Sequence, residues 1–183
     1  MTRLYLVRHG RATAGWNVDP DPGLDAIGVA QAAKVAEKLQ QLGSLPIVSS
    51  PLRRCRETAA ALSLMTGQHV MIERAVAEIP SPDGVDMADR VEWLRKAMAG
   101  TWSALGVPYT SFGDGVGRFL CSLNQNTVIF SHFVAINAAL GHALGDDRLL
   151  IRSLDNCSVT TFDVFGSTLE LVEGGHEADT LIR

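Results

Sequence analysis

Two histidines in this chain follow short apolar runs of β-forming residues. His9 comes after Arg3 to Val7 (RLYLV) and Arg8, and His132 comes directly after Thr127 to Ser131 (TVIFS). Arginines stand with them: Arg8 touches the first histidine in sequence, and Arg53 and Arg54 lie in the stretch SSPLRR between the two. Two guanidinium forks around two imidazoles make a pocket for a dianion, and the planar fork matches the oxygens of a phosphate. An imidazole among fixed cations has its protonated form disfavoured. Such a ring stays neutral and nucleophilic near pH 7, as covalent phosphoryl transfer requires. The sequence offers no carboxylate cluster to hold magnesium, so the positive charge facing such a dianion would come from the protein itself.

These residues meet only if the chain folds so that three strand ends share one rim. Arg3 to Val7 reads as a central strand ending at Arg8-His9-Gly10, followed by a loop rich in Gly, Pro and Asp to Gly23. Asp25 to Leu42 is helical in composition and Gly43 stops it. Pro46 to Ser49 is a second strand, and Pro51 to Met65 a second helix with proline suited to its first turn. His69 to Ile72 reads as a third strand, Ala75 to Asp86 as a loop, and Asp86 to Met98 as an amphipathic helix. Phe112 to Leu123 reads as a shorter helix, TVIFS as a buried strand, and Val134 to Leu144 as the helix after it. The tail from Leu149 to Val172 alternates like two or three strands, Ser158 to Phe165 the clearest. Strand and helix in repeated alternation predict an α/β fold, a three-layer α/β/α sandwich with a mostly parallel sheet. In such sheets the ligand sits beyond the carboxyl ends of the strands, where both histidines would lie.

Composition bounds the reading. A chain of 183 residues, 46% hydrophobic and 20% charged, suits one domain over 1–183. A formal charge of -4 argues against a nucleic-acid partner. No run of 18 apolar residues suggests a membrane span, and MTRLYLVRHG lacks the apolar core of a signal peptide. Cys55, Cys121 and Cys157 are odd in number and irregularly spaced, and read as buried thiols of a cytoplasmic protein.

LVRHG at 6–10 resembles the signature of the histidine phosphatase superfamily, the phosphoglycerate mutase-like clan. SSPLRRCRETA at 49–59, VIFSHFVAI at 128–136 and PGLDAIGVAQA at 22–32 are similar to further motifs of that family, in the same order. The resemblance implies a phosphoglycerate mutase-like fold and no cofactor or metal. It implies that His9 is the nucleophile that becomes phosphorylated, that Arg8 and Arg54 hold the phosphoryl oxygens, and that His132 stabilises the charge in transfer. By the same resemblance Asn17 contacts phosphate, although two extra residues separate it from RHG, and Glu78, in VAEIPSP, is the general acid. Phe133 replaces the glycine common after the second histidine, and a bulky ring at the rim would reshape the substrate pocket. Arg11 adds a cation near the mouth, placed for a second anionic group.

Other features have plain readings. His69, His142 and His176 are ordinary histidines, and Arg53 and Arg56 solvated helix residues. Gly113-Asp114-Gly115-Val116-Gly117 follows no strand and is completed by no Lys-Ser/Thr, so it is not a phosphate loop. Asp146-Asp147 reads as a helix-ending turn, Trp93 and Trp102 as packing residues, and Cys55 as a buried structural thiol despite its neighbour Arg54. The expected function is a metal-independent phosphatase working through phosphohistidine on a phosphorylated small molecule or phosphoprotein. A phosphoglycerate mutase and a phospho-ligand binding module without turnover are the alternatives, and the oligomeric state is open.

Overall fold

The order of the strands in the central sheet sets the two histidine-bearing strand ends side by side. In the computed structural model, which describes residues 1–177, the strands are β1 (Thr2–Arg8), β2 (Ile47–Ser49), β3 (Val70–Ile72), β4 (Thr127–Ser131), β5 (Val159–Phe165) and β6 (Thr168–Glu173). They are hydrogen-bonded in the order β3-β2-β4-β1-β5-β6. The four strands from β3 to β1 run parallel, and β5 and β6 add an antiparallel edge. Arg8 is in register with Ser131, and Ser49 with Phe130, so the ends of β1, β4 and β2 form one rim. Backbone bonds continue past the rim, His9 N–H to Ser131 C=O at 3.0 Å and Ser50 N–H to Phe130 C=O at 3.0 Å.

The pleat divides the apolar residues between two faces. Val7, Ile47, Val128 and Phe130 point to the side covered by α1 (Ala26–Leu39) and α2 (Arg53–Thr66). Leu4, Leu6, Val48 and Ile129 point to the side covered by α3 (Arg90–Met98), α4 (Trp102–Leu105), α5 (Val107–Ser122) and α6 (Phe133–Leu144). Helices on both faces of a mostly parallel sheet make the three-layer sandwich that the alternation of elements predicts. No helix of the described residues is long and apolar enough to cross a membrane.

Some boundaries differ from the sequence reading. The first helix ends at Leu39 and tightens into a 3-10 turn over Gln40–Leu42 before Gly43. The helix expected at Phe112 starts at Val107 with Pro108 in its first turn, and it carries all three glycines of GDGVG. Two of those glycines serve close packing: a Cβ on Gly113 would touch the Trp102 ring, and one on Gly117 would collide with the His142 ring. Residues 149–158 contribute no strand to the sheet, which leaves two strands in the tail. Cys55 is buried as expected, but Cys121 and Cys157 are partly exposed, and all three thiols are free.

Candidate active site

His9 is fixed by its own turn. Its Nδ1 lies 2.8 Å from the Gly10 carbonyl, which can only accept, so Nδ1 carries the proton. Nε2 therefore keeps its lone pair, and the Arg54 Nε–H donates to it at 3.1 Å. Burial, followed by the charges of Arg54 and Arg8, holds the His9 pKa well below the ordinary 6.5. The turn itself is held from two sides. Gly10 N–H donates to Thr58 Oγ1, which in turn donates to the Arg54 carbonyl, and Asn156 Nδ2 donates to the His9 carbonyl at 2.9 Å.

Arg8 lies on the α6 side of the sheet. Its Nη1 donates to the Leu154 carbonyl at 2.5 Å, and its guanidinium stacks over the Phe133 ring, 5.0 Å from the centroid. Its Nε is buried without a hydrogen-bond partner, and burial lowers its pKa to about 10 against the opposing pull of Glu78 and Asp155. Arg54 comes from the first turn of α2 and is 7% exposed, whereas its neighbour Arg53 points outward and pairs with Glu57 at 2.7 Å. That difference follows from the roughly 100° turned between successive helical residues.

His132 is fully buried and meets the His9 ring edge-on, with centroids 5.3 Å apart. Its Nε2 lies 2.7 Å from Ser50 Oγ and 3.3 Å from Cys55 Sγ. Burial, then Arg54 and His9, pushes its pKa well below 6.5. The Cys55 thiol donates to the Ser131 carbonyl, and burial pushes its pKa strongly upward, so it is a packing group of the site floor.

Glu78 reaches the site because its neighbours are anchors. Val76 and Ile79 are buried in the core, and Ser131 Oγ donates to the Val76 carbonyl at 2.8 Å, tying this segment to the end of β4. The carboxylate accepts from Ile79 N–H at 3.0 Å and also from Val134 N–H in the first turn of α6. Burial raises its pKa above 4.5, opposed by those N–H groups and by Arg54 and Arg8.

Arg8, His9, Arg54 and Glu78 line a pocket of about 70 Å³ together with apolar residues, and His132 lies outside that lining, edge-on to His9. A single water needs about 10–15 Å³ of such space, so the pocket is several times larger than one water and admits a phosphate group. Among the described residues no three of His, Cys, Asp and Glu group as metal ligands would.

Two expectations need correction. Asn17 is exposed and does not line the pocket, because the two added residues carry it past the rim and bring Trp16 into the wall instead. Arg11 is also absent from the lining, since its Nε pairs with Asp25 at 2.5 Å. Phe133 does line the pocket, from the first turn of α6, where it is 5% exposed and has Arg8 against its face. Trp93 packs as expected, and it meets Trp16 edge-on at 6.5 Å. The sequence reading missed Ser50, Thr58 and Asn156. The first two lie inside the SSPLRRCRETA motif, and Asn156 precedes Cys157, whose positive φ of 56° turns the chain beneath β1.

A mostly parallel sheet with helices on both faces, and with paired histidines and arginines at its strand ends, has the phosphoglycerate mutase-like fold. The chain belongs to the histidine phosphatase superfamily (branch 1), whose profile matches residues 4–175. It is 28% identical to a curated Salmonella paratyphi C protein named "Probable phosphoglycerate mutase GpmB", with 89% of this chain and 85% of that one covered. Among solved structures, phosphoserine phosphatase of Entamoeba histolytica in complex with 3-phosphoglyceric acid superposes with a TM-score of 0.74 at 23% identity, covering 98% of each chain. A mycobacterial glucosyl-3-phosphoglycerate phosphatase with inorganic phosphate superposes with a TM-score of 0.76 at 22% identity, covering 97% of this chain and 98% of that one.

Proposed function

We propose that this chain is a metal-independent phosphatase that hydrolyses phosphate monoesters through a phosphohistidine on His9. The observation that carries the reading is the His9 tautomer, with Nδ1–H on the Gly10 carbonyl and the Nε2 lone pair turned toward Arg54 in the pocket. Nε2 attacks phosphorus in line, and the Nε2–P bond forms as the P–O bond to the leaving group breaks. The positive charge that develops on the ring is stabilised by the Gly10 carbonyl at Nδ1. Arg8, Arg54 and His132 hold the equatorial oxygens, where preorganised donors do most for the transition state. Glu78 gives its proton to the leaving oxygen, and its carboxylate then takes one from the water that cleaves the phosphohistidine. Three free thiols suit a reducing cytoplasm.

The mutase reading is favoured by the name of the curated relative. Phosphorus-31 NMR of the enzyme with 3-phosphoglycerate and with benzyl phosphate separates the two. A phosphatase turns monoester into inorganic phosphate. Conversion of 3-phosphoglycerate to 2-phosphoglycerate without phosphate release would overturn the reading.

A further inference from the structure

Besides Arg8, His9, Arg54 and Glu78, the pocket lining holds Ala12, Ala14, Trp16, Pro22, Leu94, Phe133 and Val134, and none of these side chains carries a charge. The cations nearest the mouth in sequence are already occupied. Arg11 pairs with Asp25, and Arg53 with Glu57. Arg90 lies over the Trp16 ring, 5.8 Å from its centroid, and does not line the pocket. Both arginines in the lining, Arg8 and Arg54, stand at the phosphoryl end beside His9. A carboxylate on the leaving group would therefore give up water against an apolar wall whose own side chains offer it no cation or hydrogen-bond donor from an ionised group, which is unfavourable.

The aromatic wall, by contrast, is built and held. Trp16 meets Trp93 edge-on at 6.5 Å, and Trp93 packs on Tyr109 at 5.5 Å. Arg90 covers Trp16 and Arg8 covers Phe133. Rings fixed before binding lose little freedom when a ligand packs against them.

We infer that the preferred substrates are monoesters of uncharged, apolar alcohols, aromatic ones above all, with Trp16 selecting the leaving group, and that phosphoglycerates are poor ligands. This inference rests on the phosphatase reading for the word substrate, but the wall's preference is testable by binding alone. Three non-hydrolysable ligands share the phosphonate and differ beyond it: benzylphosphonate, methylphosphonate and 3-phosphonopropionate. Isothermal titration should give benzylphosphonate the lowest Kd, at least tenfold below each of the others. Trp16→Ala should bring its Kd to within threefold of that for methylphosphonate, while leaving methylphosphonate binding unchanged. Equal affinities for benzylphosphonate and methylphosphonate would overturn the inference. So would tighter binding of 3-phosphonopropionate, and loss of that preference in Arg90→Ala would identify the mouth as an anion site. A benzylphosphonate preference in a protein that releases no phosphate from benzyl phosphate would uphold the wall's preference and sink the phosphatase reading instead.

Discussion

At the scale of single residues, the site rests on opposed pKa shifts. Burial and two guanidinium groups keep the His9 imidazole neutral, while burial keeps the Glu78 carboxyl protonated to higher pH than an ordinary glutamic acid. A neutral base and a protonated acid are the pair that phosphoryl transfer to histidine needs. An alkoxide leaves poorly without a proton, whereas a nitrophenolate leaves almost unaided. Glu78→Gln should therefore lower kcat/KM for benzyl phosphate by about 10²–10⁴-fold, the usual worth of general acid catalysis, and for nitrophenyl phosphate by far less. In the wild type, the benzyl phosphate rate should fall as pH rises through the raised Glu78 pKa, and this limb should vanish in Glu78→Gln. Equal losses on both substrates would assign Glu78 to binding. His9, Arg8, Arg54 and His132 were legible from their motifs, and the structure gathers all four. Asn17 and Arg11 were misplaced because a loop of Gly, Pro and Asp has no periodicity to fix its direction, and only the fold shows Arg11 paired with Asp25.

At the scale of elements, the turn after β1 and the helix α1 touch through glycines. A Cβ on Gly10 would meet the Gly28 carbonyl at 2.6 Å, and one on Gly28 would run into the Arg11 carbonyl. In an ordinary helix interior, alanine for glycine stabilises by about 0.5–1 kcal/mol. Here the sign should reverse. Gly28→Ala must push the backbone that follows His9, and a backbone clash of this kind costs about 2 kcal/mol or more, a fall of roughly 4–8 °C in melting temperature for a chain of this length. Activity should fall with it, since the displaced segment begins two residues after His9. A higher melting temperature in Gly28→Ala would contradict this packing. The strands and α1, α2 and α6 were legible because their apolar periods are clean. The helix from Val107 was read five residues short because Gly106 and Pro108 punctuate its start, although proline suits a first helical turn. Only the contacts of Gly113 with Trp102 and of Gly117 with His142 show that glycine serves packing inside it.

At the scale of the whole molecule, two buried neutral histidines make stability depend on pH. In the unfolded chain both titrate near 6.5, while in the folded protein both take up protons only well below that value. As pH falls below 6.5 the unfolded state binds more protons, so stability is lost toward acid, by up to about 1.4 kcal/mol per pH unit for each histidine. Glu78 works in the other direction. Its folded pKa is raised, so the folded state binds its proton first and regains some stability as pH falls toward 4.5. Urea melts should show the midpoint dropping between pH 7 and 5, and His9→Gln should make that drop shallower by about one proton. A midpoint independent of pH over this range would show that the two rings are not held neutral.

The central claim is that His9 carries the phosphoryl group between substrate and water. Rapid mixing with substrate labelled in its phosphoryl group, quenching under denaturing base and mapping the labelled peptide tests it directly. The account predicts base-stable, acid-labile phosphate on His9, gone in His9→Ala together with turnover. Label on Ser49, Ser50 or Cys55, or turnover that survives His9→Ala, would contradict it.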